Sequence, residues 1–425
     1  MLGFPTPHMA DLETGVLILG AGLQGAGVAL ELAGRGIPVT LVEQDEIALN
    51  RASLRNEGKI HFGFIYANDS SRDTAFLQLE GALRFRAIVD RWIGMDTGWL
   101  VQSTPFHYLV AQDSVLSPEA LAGHYLAVEA RCRERLAADP SLNYLGSRVD
   151  GLFRPLTGDE LASRFDTARF AAGFATSELA IDTERLAAEL RKALAASPRI
   201  QLLASRRATA IAREKEGFRV EGEGRGGPWR IRARQVVNAS WERRLGFDRQ
   251  LGIAPPPDLL HRLKFRVIVR LPGELHGAPS ASMVLGRYGD VVIRFDGTAY
   301  LSWYPSGLRG WSADVEPPRA WDAACRGEVD RDVAQEVAAS VLNAIDAWYP
   351  GIGRSEPIQV DAGAIVAIGR SDVDDSASGL HDRKRIGVSS FDGYLSVDPG
   401  KLTTAPMFAV AAADCVEAFE ARRAG

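Results

Sequence analysis

The stretch Val16 to Leu19, followed by Gly20-Ala21-Gly22-Leu23-Gln24-Gly25 and then by Ala26 to Ala33, constrains this chain more than any other. Four apolar residues are too few for a helix and fit a strand buried on both faces. The glycines after it stand at the spacing G-x-G-x-x-G. The first permits a tight turn, the second lets a pyrophosphate approach the backbone, and the third lets the next helix pack closely on the strand. That helix points the positive end of its dipole at the phosphates. Gly34-Arg35-Gly36 stops it, and Pro38 to Val42 reads as a second buried strand ending in Glu43, whose carboxylate can accept both hydroxyls of an adenosine ribose. Strand, helix, second strand and acid in this order predict a dinucleotide site. The motif alone does not separate NAD from FAD.

A chain of 425 residues exceeds one ordinary core and predicts about two domains. Its formal net charge of -5 gives no reason to expect nucleic acid as a partner. Cys132, Cys325 and Cys415 are widely spaced, with no C-x-x-C, and read as core residues in a reduced compartment. No metal site is expected. Residues Met1 to Thr14 lack the basic and apolar regions of a signal peptide, and no apolar run approaches the length of a membrane span. A cytoplasmic protein is expected, with peripheral attachment to a membrane left open.

From Arg51 through Tyr66 to about Ser70 there is neither strand alternation nor helical period, so this is a long loop of the kind that usually serves function. His61, set among Ile60, Phe62 and Phe64, is a candidate base there. A histidine satisfied inside the loop is the competing reading. Apolar spacing then predicts helices over Arg72 to Ile93, Pro118 to Ala138 and Asp332 to Trp348. Asp182 is expected to cap Thr183 to Ala196, and Thr157 with Glu160 to start a short helix.

Trp99 to Val110 reads as a strand pair broken at Thr104-Pro105, and Ile200 to Leu203 as a buried strand. Ala208 to Arg213, Phe218 to Gly222 and Trp229 to Ala233 form a small antiparallel sheet, with Gln235 to Ala239 as a further strand. Pro255-Pro256-Pro257 marks a boundary. Beyond it, His261 to Leu271, Ser282 to Leu285, Asp290 to Phe295 and Ala299 to Trp303 predict a sheet forming the wall of a substrate domain, with Tyr300, Trp303 and Tyr304 at its edge. Near the end, the strand Tyr394 to Val397 leads through the turn Asp398 to Lys401 into a last helix, with Thr404 as its cap and Pro406 in its first turn. A helix N-terminus beside a glycine turn suits a developing negative charge, to which the Lys401 ammonium could add.

The fingerprint at Gly20, the loop Arg55-Asn56-Glu57-Gly58-Lys59-Ile60-His61-Phe62-Gly63, the strand Val236-Val237-Asn238-Ala239 and the segment Leu395 through Gly400-Lys401-Leu402-Thr403-Thr404 occur in that order. Together they resemble the D-amino-acid-oxidase superfamily of FAD-dependent oxidoreductases. Within it, the Ile-His-x-Gly loop and the Gly-Lys-Leu-Thr-Thr turn resemble the glycerol-3-phosphate dehydrogenase and L-2-hydroxyglutarate dehydrogenase branches, both of which oxidise a secondary alcohol. The resemblance implies an α/β fold. A Rossmann-like FAD-binding domain would be built from discontinuous segments, 1–85, 182–254 and 358–425. An inserted α+β substrate domain with a mixed sheet would take 86–181 and 255–357.

The resemblance also implies a site. FAD would be held by Gly20, Gly22, Leu23, Gln24, Gly25, Glu43, Gln44, Arg51, Asn56, Gly58, Lys59, Ile60, Ala208, Ile211, Asn238, Ala239, Ser240, Gly400, Lys401, Leu402 and Thr403. His61, Lys401 and Arg383 would be catalytic, and His61, Tyr66, Tyr304, Arg383 and Arg385 would meet the substrate. The implied reaction moves a hydride from a small substrate, a 2-hydroxy acid or other secondary alcohol, to flavin N5 while His61 takes the hydroxyl proton. Oxidation of an amino acid or secondary amine is the alternative chemistry, and a flavin or nucleotide-binding protein without turnover is the alternative of another class. Oxygen, a quinone or a protein all remain open as electron acceptor.

Two departures bear on the substrate. Glycerol-3-phosphate dehydrogenases resemble Ile-His-Gly-Gly-Leu-Arg-Tyr in the loop, and here Ile65 stands where the arginine would be. A second arginine is expected soon after Ala362-Gly363, yet Ala364-Ile365-Val366 follows. With both cations missing, glycerol 3-phosphate is not the expected substrate. Arg383 and Arg385 are the cations left to meet an anionic group.

Overall fold

The computed structural model describes residues 11–94, 98–369 and 385–424. It is a mixed α/β structure organised around two large sheets. The first sheet runs in the order Gly387–Phe391, Tyr394–Asp398, Gly227–Asn238, Asp11–Leu19, Val39–Val42, Ile200–Leu203, and all neighbours are parallel except the first pair. Alternation along Asp11–Leu19 separates two layers. Val16 and Ile18 pack under the helices Leu23–Gly34, Asp73–Ile93, Thr183–Ala196 and Ala405–Ala424. Leu17 and Leu19 face the other way, toward Ile211, Phe218, Val220 and Trp229 of the meander Arg206–Glu214, Gly217–Gly224 and Gly227–Asn238. A strand buried on both faces is therefore what the apolar run from Val16 encodes.

Several helix starts are as the sequence predicts. Asp182 accepts from the N–H groups of Glu184 and Arg185, and Thr157 with Glu160 closes a capping box. Four expectations need correction. Gln235 to Asn238 is no separate strand, because Gly227–Asn238 runs unbroken, antiparallel to Gly217–Gly224 in its first half and parallel to Asp11–Leu19 along its length. Nothing between Ala233 and Gln235 can turn the chain. Ile200–Leu203 lies at the sheet edge with Leu202 exposed, having one strand neighbour. Of Trp99 to Val110 only Phe106–Ala111 is a strand, joined by single bridges at Val101 and Ser103. The Thr404 hydroxyl donates to the carbonyls of Pro399 and Lys401, so it closes the turn and does not act as a helix cap.

The second sheet is built on the strand Leu259–Arg270, which pairs with Glu356–Ile368, Thr298–Trp303 and Leu308–Ser312. Leu263, Phe265, Val267 and Val269 point to one side, where Val337, Val341 and Ile345 of the helix Arg331–Asp346 complete a core. On the opposite side stand Arg262, Lys264 and Arg266. Because Glu356–Ile368 pairs along the whole of Leu259–Arg270, residues 358–368 lie in the second sheet, although the sequence reading gave them to the first domain. Residues 86–93 lie in the helix Asp73–Ile93, which packs with the first-sheet helices.

Between the sheets passes the long loop. It is irregular apart from the pair Lys59–Ile60, hydrogen-bonded to Leu179–Ala180, and one 3-10 turn at Phe64–Tyr66. The short ladder fixes which way the side chains of 59 to 61 point. Gly58 has φ +74 there, and a Cβ on it would stand 2.3 Å from the Ile181 carbonyl oxygen, so only glycine fits. No helix among the described residues is long and apolar enough to cross a membrane.

Candidate active site

One cavity runs from the first turn of the first sheet to the inner face of the second. At its first end Gly20 has φ +91, and a Cβ on Gly25 would lie 1.9 Å from the Gly20 carbonyl oxygen, so turn and helix close on each other only with glycine at both. The helix Leu23–Gly34 starts after Gly22, which brings no capping side chain, the Leu23 N–H donates to the Ser53 hydroxyl at 2.8 Å, and this N-terminus faces the cavity. Glu43 accepts from Ala21 N at 2.7 Å through one oxygen and from Asp45 N at 2.9 Å through the other. Burial pushes its carboxyl up to about 7, against the lowering effect of those two N–H groups. Beside it, the side-chain oxygen of Gln44 is buried without a hydrogen-bond partner among the described residues.

Of the residues assigned to the cofactor, Gly20, Gly22, Leu23, Gln24, Glu43, Gln44, Arg51, Asn56 and Lys59 line this cavity. So do Ala208, Ala239, Ser240, Gly400, Lys401 and Leu402. Six assigned residues do not, and in each the local packing says why. Gly25 is closed over by Gly20, Gly58 backs onto Ile181, and Ile60 and Ile211 are core residues. Asn238 is fully buried and spends its amide on Arg244 O and the Tyr394 hydroxyl. Thr403 is also fully buried, and its hydroxyl oxygen accepts from the His61 backbone N–H at 2.9 Å. Arg51 reaches the cavity but is committed to Asp45 and, at 2.7 Å, to Asp322.

His61 lies at the middle of the cavity wall, 2% exposed. Nε2 is 3.6 Å from Oε1 of Glu57, and Nδ1 is 3.8 Å from Oε2 of Glu178. Neither ring nitrogen has a hydrogen-bond partner among the described residues. Glu57 lines the cavity, whereas Glu178 is fully buried behind the ring. Burial alone would raise the Glu57 carboxyl, but Lys401, His61 and Lys264 hold it well below the ordinary value. Tyr66, expected to meet substrate, stacks edge-on against the His61 ring at 6.0 Å and does not line the cavity.

The second sheet contributes a group that sequence reasoning missed, Lys264, Arg266 and Asp290, alongside Tyr300 and Tyr304 of the expected wall. The Lys264 ammonium lies 4.4 Å from the Tyr304 ring centroid. Burial opposes its charge, yet Tyr300, Tyr304, Asp290 and Glu57 raise its pKa overall. Tyr304 is shifted the other way, because Lys264, Arg262 and Lys401 overcome the effect of burial on its phenol. Asp290 accepts from the Lys59 ammonium at 2.9 Å. Ile65 and Ile365, at the two positions where arginines were looked for, both line the cavity and bring no charge to it. Arg385 is exposed at a turn away from the cavity, and Arg383 lies outside the described residues.

The sequence profile of a family described as "DAO: FAD dependent oxidoreductase" matches residues 15–397. One component of the anaerobic glycerol-3-phosphate dehydrogenase of Haemophilus influenzae is 44% identical over 59 residues, 14% of this chain. That match spans 10% of the length of the curated relative. The structure is similar to glycine oxidase from Geobacillus kaustophilus, with a TM-score of 0.67 at 17% identity over 96% of this chain and 95% of that one. It is also similar to L-alpha-glycerophosphate oxidase from Mycoplasma pneumoniae with FAD bound, with a TM-score of 0.63 at 18% identity over 95% and 94% of the two chains. At such identities these likenesses speak for the fold alone.

Proposed function

The chain belongs to the DAO family of FAD-dependent oxidoreductases, and from that premise we propose that it oxidises a small 2-hydroxy acid at its secondary alcohol, with His61 as the base. FAD is the cofactor, and the first end of the cavity fits it. A helix N-terminus that follows glycine and has only its Leu23 N–H taken, by Ser53, suits the pyrophosphate, the Glu43 carboxylate suits the ribose hydroxyls, and the Gln44 oxygen is a buried acceptor without a donor among the described residues. When bound, FAD takes up the two electrons that the oxidised carbon gives up.

The observation that carries the reading is the placement of the His61 ring between Glu57 and Glu178 with neither nitrogen hydrogen-bonded among the described residues. Each carboxylate favours a proton on the nitrogen it faces, Glu57 on Nε2 at 3.6 Å and Glu178 on Nδ1 at 3.8 Å, and the base is the tautomer with the proton on Nδ1, on the Glu178 side away from the cavity. Nε2 then carries the lone pair on the side of Glu57, where a substrate hydroxyl can donate to it. As the proton moves, the imidazolium forms between two carboxylates, which stabilise it. Ile65 and Ile365 line the cavity at the positions where arginines were looked for, so neither position offers a cation to a phosphate.

Amine oxidation has its own supporting observation, since Glu57 and Asp290 both face the cavity and could hold an ammonium. Asp290 is already paired with Lys59, and Glu57 stands in the field of Lys401 and Lys264. The alcohol reading is the better one. Its test is His61→Ala, which should keep its flavin and slow anaerobic flavin reduction roughly a hundredfold or more even at saturating substrate. Reduction at the parental rate would show that His61 is not the base.

A further inference from the structure

The inner face of the strand Leu259–Arg270 carries Arg262, Lys264 and Arg266 at every second position, and the residues facing them across the ladder differ. Arg266 faces Asp361 and binds it through two nitrogens, at 2.6 and 3.1 Å. Arg262 faces Ile365, with its guanidinium near the rings of Tyr304 and Trp311. Lys264 faces Gly363, which has no side chain to offer. Both Lys264 and Gly363 line the cavity. A Cβ on Gly363 would come within 3.1 Å of a single atom, the Arg55 carbonyl oxygen, so the space across from Lys264 is open on the other sides.

A buried ammonium is costly unless an anion or several acceptors compensate it. Asp290 and Glu57 favour the charge of Lys264 through their fields, yet Asp290 is hydrogen-bonded to Lys59 at 2.9 Å and Glu57 shares its field with Lys401. The Lys264 ammonium forms no ion pair among the described residues and rests on the Tyr304 ring. Resting on the 2-hydroxy-acid reading above, we propose that Lys264 is the seat of the substrate carboxylate, in the space that Gly363 leaves open. A compact ammonium with three donors needs no fixed fork geometry, and one such charge balances one carboxylate. A phosphate dianion there would remain under-compensated. With the carboxylate held on the second sheet, the hydroxyl-bearing carbon is directed back toward His61 on the loop, which shares the same cavity.

The test measures binding to the holoenzyme and not turnover. 2-Oxobutyrate and its primary amide are titrated against the visible absorption of the bound flavin. Wild type should bind the acid at least tenfold more tightly than the amide. Lys264→Met should lose that preference with its flavin content unchanged, and Lys264→Arg should keep most of it. Lys264→Gln, polar and of similar length, gives the same reading should the methionine variant not fold. Absence of the preference in wild type, or its survival in Lys264→Met or Lys264→Gln, overturns the assignment. The parent reading fails separately: if no 2-hydroxy acid reduces the flavin while the acid preference still disappears with Lys264, the alcohol chemistry falls and the carboxylate seat stands.

Discussion

Nδ1 of His61 lies 3.8 Å from Oε2 of Glu178, a carboxylate with no solvent exposure. The two Glu178 oxygens are held by the Phe62 N–H and the Tyr108 hydroxyl, each at 2.6 Å. Burial and Glu178 itself push the Tyr108 phenol well above its ordinary pKa, so Tyr108 stays a donor. Glu178→Gln keeps the shape but places an NH2 against one of two donors, at a cost of about 1–3 kcal/mol. It also removes one of the charges that stabilise the imidazolium. A lower Tm with full flavin content, and flavin reduction slowed roughly tenfold at saturating substrate, are the expected outcomes. Unchanged kinetics with a lowered Tm would make Glu178 a purely structural residue.

Glu43 sets a pH dependence for cofactor binding. Its carboxyl sits at about 7 because burial disfavours the charged form. Ribose hydroxyls donate best to the ionised carboxylate, so FAD binding favours loss of the Glu43 proton. Below pH 7 that proton must be released on binding, whereas above it the site is already charged. Affinity for FAD should therefore rise as pH goes from 6 to 8, by up to about tenfold. Glu43→Gln should bind more weakly and lack this rise, as read by fluorescence titration of apoprotein.

At Gly25 the close approach of helix and turn is testable by one methyl group. Its Cβ would stand 1.9 Å from the Gly20 carbonyl oxygen and 3.3 Å from Ile18, so backbone must move. Gly25→Ala should lose about 1–3 kcal/mol or more of stability and retain little flavin after purification. An alanine variant that purifies yellow with the parental Tm would contradict this packing.

The uncharged residues Ile65 and Ile365 lead to a prediction about substrates. Glycerol 3-phosphate at millimolar concentration should not bleach the flavin appreciably in the absence of oxygen. Rapid bleaching at micromolar concentration would mean that cations at other positions serve the phosphate.

The beginning of the chain was legible because its signals are local. The glycine spacing, the acid ending the second strand and the capping residues Asp182 and Thr157 each act within a few residues of themselves. That His61 would line a cavity was legible for a related reason, since a long loop without periodicity inside a domain commonly serves a site. Long-range pairing was not. Nothing near Glu356–Ile368 says that it will lie along Leu259–Arg270 and not in the first sheet. Lys264 and Arg266 were missed because their signal is ambiguous. His261 to Leu271 alternates apolar residues with cations, a pattern that reads equally as a strand with a solvated face, and only the fold shows that Lys264 and Arg266 line the cavity. Thr403 and Asn238 were read as ligands because motifs report which residues matter, whereas these two matter through what they hold in place.

The central claim, oxidation of a carboxylate-bearing secondary alcohol by the flavin, is tested most directly by mixing the FAD-loaded protein anaerobically with matched pairs of substrates. L- and D-2-hydroxybutyrate are compared with L- and D-2-aminobutyrate, and the loss of oxidised flavin absorbance is followed in time. One enantiomer of the hydroxy acid should bleach the flavin with saturation kinetics while neither amino acid does so at a comparable rate. Bleaching by an amino acid with no response to either hydroxy acid would contradict the claim.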